Sequence, residues 1–254
     1  SSDLLISSVS EAVSLLFFII YTSMTADKRK YGFRRAFTLR PHLLKGILSI
    51  SGWTMVQSFI SVSIWFIFFL AIEHLGERPL AVTNIVRNIS ALLIMVISAF
   101  ATTAGALISN QIGAGEQRCL FKTCGMTLKL TYAILIPLLI ILCLFPESVL
   151  RAFTDSPSLI AASVNSVYVM ASSTLIMAPS FILFNAVSGT GNTRAGFIME
   201  MISLAVYTAV IYYGIIRLKP DVALCWFSEH VYGVTLIFLA WWYLKSGKWR
   251  GKKV

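Results

Sequence analysis

Residues 119–145 read CLFKTCGMTLKLTYAILIPLLIILCLF, and after Lys129 this stretch carries no charge at all. A bilayer core about 30 Å thick takes roughly 20 helical residues to cross, so the stretch is long enough to span one. Six more apolar segments flank it, at 3–23, 43–73, 79–110, 158–188, 194–217 and 222–245. Together they occupy most of the 254 residues. The whole chain is 57% apolar and 13% charged, with a mean hydropathy of +0.80. Soluble domains run closer to about 45–50% apolar and 25% charged, so there is too little polar surface here to coat a water-facing globule. A secreted disulfide scaffold, a disordered tail and a nucleic-acid module are thereby excluded. The expected fold is an all-α integral membrane protein of seven transmembrane helices.

The net charge of +10 follows membrane topology rather than a polyanionic partner, because the charges sit between the apolar runs. The loop after the first segment holds Lys28, Arg29, Lys30, Arg34, Arg35, Arg40 and Lys45, and the tail holds Lys245, Lys248, Arg250, Lys252 and Lys253. Arg118, Lys122, Lys129 and Arg194 fall on the same side, against only Arg78, Arg151, Arg217 and Lys219 on the other. The loop and tail are therefore expected in the cytoplasm, in a multi-pass protein of the plasma (inner) membrane. Cys119, Cys124, Cys143 and Cys225 have no metal-ligand spacing and read as packing residues. The first segment lacks a basic n-region and a small-residue cleavage site and carries Asp3 and Glu11, so it is not a signal peptide. Its abrupt start, with no initiator Met, and the split of one helix, a basic linker and six closely connected helices read as a chain cut near its N-terminus.

Two helix ends share a pattern. The third segment closes in Gln111-Ile112-Gly113-Ala114-Gly115, and the fifth in Gly189-Thr190-Gly191-Asn192-Thr193-Arg194. Glycine supplies the positive φ that a helix C-terminus favours. As phosphate loops both fail, since such glycines should follow a strand and open a helix. With Trp226 opening the last segment and Ser246-Gly247-Lys248-Trp249 ending it, these motifs resemble those of the multidrug and toxic compound extrusion (MATE) transporters. In that family they fall, in this order, on the second of two six-helix lobes.

The resemblance implies a division of the chain. Residues 1–23 would be the last helix of an otherwise missing N-terminal lobe, 24–41 a basic cytoplasmic linker, 42–246 the six-helix C-terminal lobe and 247–254 a basic tail. It also implies a rocking-bundle antiporter in which proton or sodium entry drives export of small amphipathic or cationic compounds. No cofactor is implied beyond that coupling ion, and no catalytic residue or metal centre. Partners would be the lipid bilayer, small organic substrates and the missing lobe, with no nucleic acid.

Ionisable residues inside a membrane are costly, roughly 3 kcal/mol at a helix centre, so those retained are candidates for function. Glu11, Arg87, Glu200, Glu229 and His230 qualify. Glu200 lies well inside its segment with Ser203 and Tyr207 on the same face, at i+3 and i+7. It could carry a proton or simply tie helices together. Glu229 and His230 could form a relay, although neighbours on a helix point in different directions. Arg87, with Asn84, Asn88 and Ser90, forms a polar knot expected to pair with an embedded glutamate. Gln57 and Ser61, Tyr168 and Tyr207, with Asn84 and Asn88, are the expected cavity lining. Pro179 is expected to bend its helix and could provide a gate. Gln111, Gly113, Gly115, Gly189, Gly191 and Asn192 are read as structural.

The chain departs from the family pattern in places. Ser61-Val62-Ser63 stands where many members place an acid, Thr54 where a proline is common, and the fifth segment has no acid. These departures weaken a sodium site in this lobe and shift weight to Glu200 and Glu229. A receptor or rhodopsin is disfavoured because the last segment has no lysine for retinal and no N-P-x-x-Y. An intramembrane enzyme is disfavoured by the absence of H-E-x-x-H and G-x-S-x-G. A lipid-linked saccharide flippase of the same architecture would need several cations in its cavity, and only Arg87 lies inside a segment. An inactive fragment is the remaining alternative.

Overall fold

The structure is a computed structural model and describes residues 2–25 and 41–249. Lys28, Arg29, Lys30, Arg34, Arg35 and Arg40 of the linker, and Arg250, Lys252 and Lys253 of the tail, lie outside the described residues, as does the Lys45 side chain. The helices are α1 (Ser2–Thr25), α2 (Pro41–Glu73), α3 (Glu77–Gly113), α4 (Leu120–Leu144), α5 (Pro146–Leu150), α6 (Pro157–Gly189), α7 (Thr193–Val210), α8 (Val222–Cys225) and α9 (Ser228–Ser246). A 3₁₀ turn at Gln117–Cys119 leads into α4, and α7 continues as a π-helical segment, Ile211–Arg217. The last span is interrupted at Trp226, which is buried between α8 and α9.

Six helical spans are long and apolar enough to cross a bilayer. The first expected segment is helical, but its apolar stretch among the described residues, Glu11–Thr25, is shorter. The chain divides into two units, Ser1–Ser49 and Ile50–Val254. The first contains α1, whose apolar side chains from Val9 to Met24 are exposed, and the opening of α2. The second contains the remainder.

Local chemistry explains the element ends. Pro146 and Pro157 sit in the first turns of α5 and α6, where a missing N–H costs nothing. Asn192 caps α7 by accepting from the Ala195 N–H at 3.2 Å, and Asp221 accepts from the Val222 N–H at 2.8 Å ahead of α8. Gly247 closes α9 in the left-handed conformation (φ 67°), and the Trp249 indole N–H donates to the Leu244 carbonyl at 2.9 Å. Of the motif glycines, Gly115 (φ 82°) and Gly191 (φ 78°) take the positive φ. Gly113 and Gly189 are instead the last helical residues of α3 and α6.

Helix α6 is the hub, packed along α3, α4 and α9, while α7 packs on α9. Its crossing with α3 is backbone on backbone: a Cβ added at Gly189 would stand 2.5 Å from the Gly105 carbonyl oxygen. Small residues permit such close approach between membrane helices. Pro179 sits in the middle of α6, which runs on through it. A proline cannot donate to the carbonyl four residues back. That carbonyl, on Leu175, accepts instead from the Tyr132 hydroxyl of α4 at 2.7 Å. The C-terminal half of α2 joins through Phe68, Ala71 and Ile72, which pack with Tyr207, Ile211 and Ile215.

Candidate functional site

A cavity of about 350 Å³ opens among five helices of the second unit. Ser61 and Trp65 come from α2, Ile94, Ser98 and Thr102 from α3, and Met177, Phe181, Phe184 and Asn185 from α6. Helix α7 adds Glu200, Leu204 and Tyr207, and α9 adds Glu229, Tyr232 and Leu236. Both carboxylates are deep, with Glu200 4% and Glu229 8% exposed. No lysine, arginine or histidine is among these lining residues.

The acids are held by hydroxyls from neighbouring helices. Glu200 Oε1 accepts from Ser61 Oγ and from Tyr232 Oη, each at 2.9 Å. Glu229 Oε1 accepts from Tyr207 Oη at 2.7 Å. The arrangement is reciprocal: the tyrosine of α7 serves the glutamate of α9, and the tyrosine of α9 serves the glutamate of α7. The two phenol rings meet edge to face, with centroids 5.8 Å apart. A buried carboxylate without a cation is tolerable only with such donors. The pattern also leaves Oε2 of each glutamate without a hydrogen bond among the described residues.

The other residues picked out by sequence lie elsewhere. His230 turns away from Glu229 toward α6, where Nε2 is 2.9 Å from Ser172 Oγ, and its ring stacks on Phe227 at 4.5 Å. Arg87, Asn84 and Asn88 occupy the exposed face of α3, whereas Ser90 is buried, so the polar knot is divided. The expected pairing of Arg87 with an embedded glutamate is replaced by a ring contact, its guanidinium lying 5.2 Å from the Phe69 centroid. Tyr168 is exposed, with its hydroxyl 3.5 Å from the Cys143 carbonyl, and Gln57 is half-buried on α2; neither lines the cavity. Glu11 is exposed on α1. Gln111 accepts from Thr123 Oγ1 at 3.0 Å, binding the end of α3 to α4. Asn192 donates to the Tyr243 hydroxyl, binding the start of α7 to α9.

Tyr232 has no mark of its own in a single helix read by periodicity. The usable signal is its spacing from Glu229, three residues on and therefore on a shared face. Phe181, Phe184 and Asn185 look like an ordinary packing face of α6, and only assembly turns them toward a void.

Comparison with known proteins adds a family and a fold. The MatE family model matches residues 54–213. No curated protein matches the chain. Among solved structures, an outward-facing multidrug resistance MATE family transporter of the MOP superfamily aligns with a TM-score of 0.71 at 15% identity, over 80% of this chain and 46% of that one. A MATE in complex with MaD3S gives 0.71 at 15%, over 83% and 49%. A MOP superfamily transporter from Pyrococcus furiosus, described as having a binding pocket of reverse polarity, gives 0.69 at 15%, over 78% and 44%. At that identity the likeness is one of fold. The chain spans about half the length of the solved structures it matches.

Proposed function

The chain belongs to the MatE family, and from that membership we propose that it acts in cation-coupled export of small amphipathic or cationic compounds across the plasma membrane, with its C-terminal tail in the cytoplasm. The observation that carries this reading is the cavity. It places two buried carboxylates, no basic side chain and the rings of Trp65, Phe181, Phe184, Tyr207 and Tyr232 around one void. Aromatic faces attract cations, and an acid without a fixed counter-charge is free to exchange a proton for one.

In the proposed cycle Glu200 and Glu229 hold protons when the cavity is empty of substrate. A cationic compound replaces them, and the two states differ in how firmly the hydroxyl donors of α2, α7 and α9 grip the carboxylates. Hydrogen bonds to an ionised carboxylate are roughly twice as strong as those to a neutral acid. Protonation therefore biases the relative stability of two arrangements of these helices, which is what coupling requires. We propose the proton rather than sodium as the coupling ion, because α2 and α6 add no further carboxylate to this lining. A saccharide-lipid flippase would need cations for phosphate groups, and this cavity lining offers none.

The test is transport by the complete protein in proteoliposomes. An imposed pH gradient is expected to drive accumulation of a fluorescent cationic dye, and a sodium gradient at equal pH is not. Sodium dependence without pH dependence would refute proton coupling.

A further inference from the structure

We propose that this cavity selects cations by their N–H groups, taking primary and secondary ammonium compounds and discriminating against quaternary ones. The inference rests on the reading that the cavity binds cations, and deepens it. Both hydroxyl donors to Glu200 converge on the same oxygen, Oε1, and the one donor to Glu229 also goes to Oε1. Each carboxylate thus enters the cavity with its other oxygen, Oε2, unspent. Both residues are more than nine-tenths buried.

Two acceptors of this kind on two different helices are not satisfied by charge alone. A quaternary ammonium presents only methyl or methylene groups to them and, by displacing water from the cavity, leaves both oxygens without donors. A site built to hydrogen-bond its ligand rejects the analogue that lacks the donor more strongly than an apolar pocket rejects a missing methylene. A primary or secondary ammonium supplies the two N–H donors that Glu200 and Glu229 can accept. Its apolar part then lies against Trp65, Phe181 and Phe184. The titratable groups facing the site are these two glutamates and the Tyr207 and Tyr232 phenols, all supplied by α7 and α9; the lining residues of α2, α3 and α6 are neutral.

Successive N-methylation of one arylalkylamine tests this, because charge and ring stay constant while the N–H count falls. Binding of benzylamine, N-methylbenzylamine, N,N-dimethylbenzylamine and benzyltrimethylammonium to the complete protein in detergent would be measured calorimetrically. Affinity is expected to hold between the first two members and to fall about tenfold or more by the quaternary one, as loss of a charge-assisted hydrogen bond implies. Glu200→Gln and Glu229→Gln, which keep the side-chain shape, are each expected to flatten the series. Equal affinity across the wild-type series, or no binding by any member, would overturn the proposal without recourse to a variant. A flat series alongside intact pH-driven dye export refutes donor selection alone. A steep series in a protein that exports nothing refutes the transport reading alone.

Discussion

At Glu200 a single oxygen links three helices: its own α7, α2 through Ser61, and α9 through Tyr232. The companion bond, Tyr207 to Glu229, crosses the same α7–α9 seam in the opposite sense. In a thermal-unfolding double-mutant cycle, Tyr207→Phe and Glu229→Gln are expected to be coupled by about 1 kcal/mol, the scale of interhelical hydrogen bonds in membranes. Tyr207→Phe with Glu200→Gln should instead be nearly additive, because Tyr207 gives its hydrogen bond to the other acid. Sequence places Tyr207 on the face of Glu200, and both line one cavity, while the Tyr207 hydroxyl goes to Glu229. Helical periodicity reports which residues share a face, and it is silent on which neighbour that face meets. Ser61 was visible as a small polar residue in an apolar helix, yet its bond to Glu200 spans 139 residues of chain.

Among the elements, the tightest constraint is the crossing of α3 and α6. Gly189→Ala drives a methyl to 2.5 Å from the Gly105 carbonyl, whereas a Cβ at Gly113 meets nothing within 4 Å. Gly189→Ala is therefore expected to cost about 1–3 kcal/mol, as overpacking does, and to lower the melting temperature in detergent. Gly113→Ala should leave it unchanged. Tyr132→Phe removes the donor that serves the carbonyl freed by Pro179. It is expected to destabilise by about 1 kcal/mol, the net worth of one intramolecular hydrogen bond. Helix positions were legible because a membrane demands long apolar runs: five of the six long spans fall within a few residues of the sequence estimate, and the first, Thr54–Glu73, ends where expected but starts later than residue 43. Three features were not legible. Gly189 reads as a turn glycine until its partner Gly105 is known, since close approach belongs to the pair. Pro179 marked a bend, but the Tyr132 hydroxyl that answers it comes from another helix. The π-helical turn at Ile211–Arg217 carries apolar residues that would serve an α-helix equally well.

For the whole molecule, the six long spans fix which loops share a side, while the sign of the orientation rests on the proposed cytoplasmic placement of the basic loop and tail. In a background without Cys119, Cys124, Cys143 and Cys225, a cysteine placed at Glu116 should react with an impermeant thiol reagent only from the cytoplasmic side. One at Asp155 should react only from outside; the reverse pattern would invert the topology. The central claim is that the Glu200–Glu229 cavity couples ion entry to export. The direct measurement is pH-gradient-driven dye transport by the complete protein in proteoliposomes, wild type against Glu200→Gln, with equal incorporation and matched melting temperatures. Loss of the gradient-driven component in the variant is the predicted result. Wild-type gradient-driven rates from Glu200→Gln would contradict the account and leave that carboxylate as a tie between helices.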